Sequence, residues 1–115
     1  MTKNLENELM QYQNMERQLQ SAMMQRQQLQ LQVNEIALAL EELGKTHEKE
    51  VFKSIGAIML KTSKEDAVKD LEERKKMSEL RMNSLTKQEE QLKSKLSDLR
   101  GSLETALGEQ KEKSG

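Results

Sequence analysis

The 115-residue sequence has no cysteine, no proline and no tryptophan, and only one phenylalanine and one tyrosine. Without cysteine it forms neither a disulfide nor a thiolate metal site, which fits a reducing compartment. Aromatic side chains supply much of an ordinary core, so their scarcity argues against a compact globule. The lack of proline, with only five glycines, leaves long helices uninterrupted.

Other classes of function are excluded by further absences. No apolar run approaches the roughly 18–20 residues that span a bilayer, and the N-terminus lacks the apolar core of a signal peptide. The net charge is −1 and no basic stripe is present, so neither a membrane nor nucleic acid is an expected partner. Nucleotide-binding and HExxH-type motifs are missing, and His47 has no companion ligands. We therefore expect a cytoplasmic protein that is not an enzyme and binds no cofactor or metal.

Two rows of apolar residues recur at alternating steps of three and four. Ten of twelve positions are apolar in the first row and nine of twelve in the second. Sustained spacing of this kind is typical of coiled-coil helices, which we place at residues 4–44 and 64–107. The first row is Leu5, Glu8, Tyr12, Met15, Leu19, Ala22, Arg26, Leu29, Val33, Ile36, Leu40 and Leu43. The second row is Val68, Leu71, Lys75, Ser78, Met82, Leu85, Glu89, Leu92, Leu96, Leu99, Leu103 and Ala106.

The equal length of the rows suggests that the two helices pair with each other. Each row covers about 58 Å of helix. If the chain folds back on itself antiparallel, Leu5 lies opposite Ala106, and the two charged interruptions Arg26 and Glu89 fall one layer apart. The sequence thus predicts that these two charges neutralise each other.

Helix ends are indicated by local signals. Gly44 stands where a C-cap is expected. The second helix opens with a capping box, either Thr62 with Glu65 or Ser63 with Asp66. From residue 108 onward the apolar period is lost, so residues 108–115 are predicted to be a disordered tail.

The segment between the helices, residues 45–63, predicts a β-hairpin. Apolar and β-branched residues cluster at 51–54 and 58–61, and Gly56 between them can adopt the positive φ of a tight turn. Because Ile-Gly is not a preferred hairpin pair, the turn type stays open.

This hairpin is apolar on both faces, and the chain has no other strand to cover it. Since an isolated two-stranded hairpin is marginal in water and offers free edges, we expect other subunits to complete it. The predicted fold class is mostly α: a single domain forming a long antiparallel two-helix coiled coil, with one central β-hairpin that joins an intersubunit β-barrel. The predicted oligomer interface is Val51, Phe52, Ile55, Ile58, Met59 and Leu60.

The hairpin and its flanks resemble the β-class subunits of prefoldin. The similarity covers about residues 5–107, is most specific at 51–66, and looks closest to archaeal β subunits, with the eukaryotic β-class next. A single hairpin distinguishes the chain from the α-class. The segments that carry the resemblance are Val51-Phe52-Lys53, Ile55-Gly56, Ile58-Met59-Leu60-Lys61-Thr62, Glu65-Asp66 and Gln88-Glu89-Glu90-Gln91-Leu92.

The resemblance implies a hexamer of two α-class and four β-class subunits whose hairpins form double β-barrels. It also implies an ATP-independent holding chaperone that captures unfolded client proteins at its coiled-coil tips and passes them to a group II chaperonin. Unbranched methionine near the tip suits a binder of many clients. The predicted client-binding residues are Leu5, Leu9, Met10, Tyr12, Met15, Leu99, Leu103 and Leu107.

Two other functions compete with this interpretation. A structural coiled-coil assembly or tethering subunit would bind folded partners, but an ordinary tether needs only a short turn where this chain has a hairpin. A membrane-surface adaptor would need a wide apolar helix face beside a basic one, and neither helix has that pattern.

Overall fold

The computed structural model describes the backbone of residues 2–114 and the side chains of residues 4–109. Two long helices flank a two-stranded antiparallel sheet, which confirms the predicted mostly α architecture. No helix within the described residues is apolar over a length that could cross a membrane. The elements in chain order are α1 (Thr2–Lys45), β1 (Glu50–Ile55), β2 (Ile58–Ser63) and α2 (Lys64–Ser114).

The chain divides into two compact units, each of which combines a part of α1 with a part of α2. The first unit contains residues 1–26 and 84–115, and the second contains residues 27–83, including the hairpin. Every position of the two predicted heptad rows is buried or half-buried, which confirms the coiled-coil pattern. The most deeply buried apolar side chains are Ala22, Leu85, Leu92, Leu96 and Leu103 in the first unit and Val33 in the second.

An ion pair lies among these apolar residues in the first unit. Arg26 Nε donates to Glu89 Oε2 over 2.6 Å, and Glu89 is only 4% exposed. The hydrogen bond to Glu89, helped by the carboxylate charge, raises the pKa of Arg26 above its ordinary value. The predicted neutralisation of these two charges is confirmed. A buried carboxylate without such a partner would be strongly destabilising.

The start of α2 is fixed by a side-chain cap. Ser63 Oγ accepts a hydrogen bond of 3.0 Å from the Asp66 amide, so of the two predicted capping pairs the structure uses Ser63 with Asp66. The Lys64 amide donates to the Lys49 carbonyl over 2.8 Å. The first turn of α2 is thereby tied to the segment that precedes β1.

The helix α1 ends one residue later than predicted, at Lys45 and not at Gly44. Gly44 does not adopt a positive φ and lies inside the last helical turn, which extends to Lys45. The Thr46 amide donates to the Glu42 carbonyl over 3.2 Å. The backbone thus continues its helical hydrogen bonding past the glycine, which does not serve as a left-handed cap.

At the other end, α2 continues to Ser114, through residues for which the loss of the apolar period predicts a disordered tail. Glutamate, glutamine and lysine dominate this stretch. These residues favour helix even where no apolar row is present to pack. Loss of the heptad period therefore marks the end of the predicted seam, and the helix does not end there.

Candidate protein-binding surfaces

The hairpin turns tightly at Gly56 and Ala57. Ile55 pairs with Ile58 directly across the turn, and the strands continue in antiparallel register to Glu50 paired with Ser63. Gly56 has a φ of 58°, and no other described residue has a positive φ. A two-residue loop with a positive φ at its first position only is the arrangement of a type II′ turn, which favours glycine there. The predicted use of Gly56 is confirmed.

The register divides the hairpin into two faces, because paired residues point to the same side of a sheet. On the first face the residues near the helices are half-buried, whereas those near the turn are exposed. On the second face Phe52 is 65% exposed and Met59 is 67% exposed. Both faces therefore present large apolar side chains. The first face consists of Val51, Lys53, Ile55, Ile58, Leu60 and Thr62; the second consists of Glu50, Phe52, Ser54, Met59, Lys61 and Ser63.

A small group of charges holds the base of the hairpin against α2. Lys53 Nζ lies 3.2 Å from Asp70 Oδ2, and Arg74 Nε lies 3.2 Å from the same oxygen. Beside this group is a groove whose lining includes Leu43 and Leu71. All three charges are partly exposed, so each pair contributes modestly to stability. Their shared carboxylate nevertheless gives the hairpin a defined attachment to its helix.

The sheet has two strands, so one edge of each has no strand beside it in the part of the chain that the structure describes. Free edges and two exposed apolar faces make a surface that can pair with another chain. Of the predicted interface residues, Val51 is half-buried, and the other five, Phe52, Ile55, Ile58, Met59 and Leu60, are exposed.

The predicted client-binding residues all fall in the first unit, but the structure presents them unequally. Leu9, Met10 and Leu107 are exposed. Leu103 is only 6% exposed and belongs to the core, so it is reachable only if the helix ends separate. The remaining four, Leu5, Tyr12, Met15 and Leu99, are half-buried.

Five further large apolar residues are exposed outside the predicted surfaces, one in the first unit and four in the second. They are Met24, Leu31 and Leu38 on α1 and Met77 and Leu80 on α2. The heptad rows do not indicate them, because they stand off the seam. The signal that would have found them is the seven-residue spacing of Leu31 and Leu38 at a position that faces away from the paired helix.

No group of three histidine, aspartate or glutamate side chains within the described residues could hold a metal ion, and His47 lies exposed in the loop after α1. The structure therefore defines a class: a two-helix coiled-coil protein with an inserted β-hairpin and exposed apolar surfaces.

Comparisons with known proteins agree with this class. A family model described as "Prefoldin subunit" matches residues 6–110. The chain is 34% identical to the prefoldin subunit beta of Methanosarcina barkeri over 105 residues, 90% of each chain. It is 46% identical to that of Methanocella arvoryzae over 71 residues, 61% of this chain and 56% of the relative. The crystal structure of the prefoldin beta subunit from Thermococcus strain KS-1 matches with a TM-score of 0.79 and 33% identity, covering 90% of this chain and 92% of that one.

The chain therefore belongs to the prefoldin subunit family. Within the family it is similar to beta subunits, as the hairpin sequence predicts. Prefoldin subunits are chaperones that assemble as hetero-oligomers with other subunits of the family. Family membership thus gives the general role of the chain, that of a chaperone subunit.

Proposed function

We propose that this chain is a subunit of an ATP-independent holding chaperone. It works in the cytoplasm, joins α-class subunits and further β-class copies through its hairpin, captures non-native proteins at the ends of its helices, and passes them to a group II chaperonin. Family membership supports the general role. The observation that carries the proposal is the pair of exposed apolar faces on the hairpin.

The free energy of burial favours assembly. Five of the six predicted interface side chains are half to two-thirds exposed. Covering them recovers a corresponding share of the roughly 1.5–3 kcal/mol that full burial of each such side chain provides. That amounts to about 1–2 kcal/mol for each residue. The summed free energy of burial over the five side chains applies to each hairpin in the assembly, and it supports a stable sheet shared between subunits.

Client capture is assigned to the helix ends in the first unit, where Leu9, Met10 and Leu107 are exposed. Methionine is unbranched and adapts to irregular apolar surfaces. Each end offers only a few such side chains, so the affinity of one end is low. Several ends acting on one client gain strength through avidity.

The test is suppression of aggregation of a chemically unfolded protein, without ATP. We expect that deleting residues 1–12 and 100–115 abolishes protection while the oligomer survives. A finer variant, Leu9→Gln with Met10→Gln and Leu107→Gln, is expected to reduce protection severalfold. Leu80→Gln, which removes an exposed leucine elsewhere, serves as the matched control. If the truncated assembly protects clients as well as the intact one, the assignment of the helix ends is wrong.

A tethering role makes a different prediction in the same experiment. Such a subunit would copurify with one folded protein at fixed stoichiometry and would not protect unfolded proteins. Aggregation assays and copurification together therefore separate the two functions.

A further inference from the structure

The ion pair between Arg26 and Glu89 occupies two positions of the first unit's seam that apolar residues could fill. Glu89 is 4% exposed, and it is the one buried charged residue among the side chains described at 4–109. No buried side-chain nitrogen or oxygen in this range lacks a hydrogen-bond partner. Replacing a buried ion pair by apolar side chains is often neutral or stabilising. Stability alone therefore does not account for the two charges.

The residues around the pair leave space for it. In the pairing that places Leu5 opposite Ala106, the residue opposite Glu89 is Ala22, which is 2% exposed and is the only alanine in the first row. A small side chain there makes room for the carboxylate between the helices. The side chain of Arg26 is 34% exposed, so it reaches that carboxylate from the edge of the seam, as long basic side chains do.

Most other row positions of the first unit do not define one register. Apart from Glu8 and the ion pair, they are apolar. Apolar burial is non-directional, so a leucine displaced by one heptad still meets an apolar neighbour. The same displacement would bury the carboxylate of Glu89 without its donor. That loss disfavours the displaced register by about a hundredfold or more.

The hairpin joins the two helices and also limits their register, but the row in the second unit is incompletely packed. Val33 is the one buried position among its row residues at 29–43 and 68–82. Lys75 and Ser78 stand where apolar residues would complete that row. A loosely packed stretch of coiled coil can absorb a shift by local unwinding or overwinding. The register of the first unit therefore depends on contacts within that unit.

We propose that Arg26 and Glu89 are positioning residues, which set the register of the helix ends at which clients are captured. The inference rests on the proposed function and adds to it two residues that touch no client. Leu9 and Leu107 are exposed and lie about 26–27 Å of helix from the pair. A displacement of one heptad would move Leu107 by about 10 Å relative to Leu9. The spacing of the exposed apolar side chains on the two helices thus depends on the pair.

Disulfide formation measures the register directly, because the chain has no cysteine of its own. In the observed register Leu19 lies opposite Leu92, and Leu99 is one heptad further along α2. We compare Leu19→Cys with Leu92→Cys and Leu19→Cys with Leu99→Cys, each with and without Arg26→Met and Glu89→Leu. The intrachain disulfide of the first cysteine pair should form at least about tenfold faster than that of the second while the ion pair is present. Removing the charges should narrow this ratio about tenfold.

Protection of an unfolded client is measured on variants without cysteine. Arg26→Met with Glu89→Leu is expected to keep its thermal midpoint and to lose protection severalfold, because a buried polar pair that specifies the register is gone. Arg26→Lys keeps a charge pair and should retain both properties. The matched control, Arg100→Gln with Glu104→Gln, removes an exposed ion pair of the same unit and should change neither property.

Three results would overturn the proposal. They are an unchanged disulfide ratio after removal of the charges, full client protection by the variant with methionine and leucine, and a thermal midpoint in that variant low enough to explain its loss of protection. If the unaltered chain gives no protection at all, the proposed function fails. The disulfide ratio then decides by itself whether the ion pair sets the register.

Discussion

Replacing Gly56 with alanine tests how the turn holds the hairpin. The added methyl group would meet no atom within 4 Å, so no steric clash with neighbours is expected. The cost lies in the backbone, because φ is +58° and an L-residue loses about 1–2 kcal/mol in the left-handed region. The hairpin should therefore open more often.

Hydrogen exchange followed by mass spectrometry measures this opening. A loss of about 1–2 kcal/mol corresponds to about 5- to 30-fold faster exchange in peptides that cover residues 50–63. Self-association should weaken as well, because the hairpin is the proposed site of assembly.

Gly101 provides the matched control. Alanine there also meets no atom within 4 Å, but the position is inside α2. Glycine in a helix interior costs roughly 0.5–1 kcal/mol relative to alanine, so Gly101→Ala should slow exchange in α2 about two- to fivefold. Neither added methyl group meets a neighbour, so faster exchange for Gly56→Ala together with slower exchange for Gly101→Ala would show that backbone conformation causes the difference. Unchanged or slower exchange in the hairpin of Gly56→Ala would refute the reasoning.

Three further predictions concern the interior and the hairpin base. Arg26→Met is expected to lower the thermal midpoint in circular dichroism because the buried carboxylate of Glu89 loses its donor, and adding Glu89→Leu should recover it; equal midpoints for all three proteins would contradict the role of the pair. Leu92→Ala should lower the free energy of unfolding in urea by about 2–5 kcal/mol, whereas Leu80→Ala on the surface should change it by no more than about 0.5 kcal/mol. Similar losses would contradict the burial of Leu92 in the core. Asp70→Asn should speed amide exchange in β1 and leave exchange in the first unit unchanged, since Lys53 and Arg74 lose their shared carboxylate. Unchanged exchange in β1 would show that Asp70 does not hold the hairpin against α2.

The paired helices could be predicted from the sequence because a coiled coil repeats one simple rule. Positions spaced by three and four residues must face the partner, and this rule holds even at Arg26 and Glu89, where the residue is charged. The equal length of the rows then predicted that these two charges would meet. The same periodicity says little about helix ends, where glutamate, glutamine and lysine continue α2 to Ser114 without an apolar row.

The hairpin could be predicted in outline and not in detail. Apolar clusters on either side of Gly56 located both strands, and each extends by one or two residues beyond the predicted range. The turn type depends on the φ of Gly56 and Ala57. The apolar pattern does not show which two residues form the loop. Ile-Gly has no preferred turn type, whereas the observed loop, Gly56-Ala57, places glycine first, as a type II′ turn favours.

The candidate site was harder to read than the fold. In the predicted client-binding set, Leu103 is buried while Leu107 is exposed, although both stand near the end of the same helix. The heptad rows account for this difference, because Leu103 stands on the second row and packs, whereas Leu107 stands off it. The rows do not show whether the helix ends separate to expose the residues that pack. The exposed apolar residues Leu31 and Leu38 of the second unit are not indicated by the rows, since they lie outside the seam on which the periodicity depends.

Native mass spectrometry of the chain, alone at high concentration and mixed with an α-class prefoldin subunit, tests most directly whether other subunits complete the hairpin. We predict assemblies of several subunits that dissociate when Ile58→Ser and Met59→Ser are introduced, with helix content unchanged. A well-ordered monomer, with and without the α-class subunit, would contradict the account.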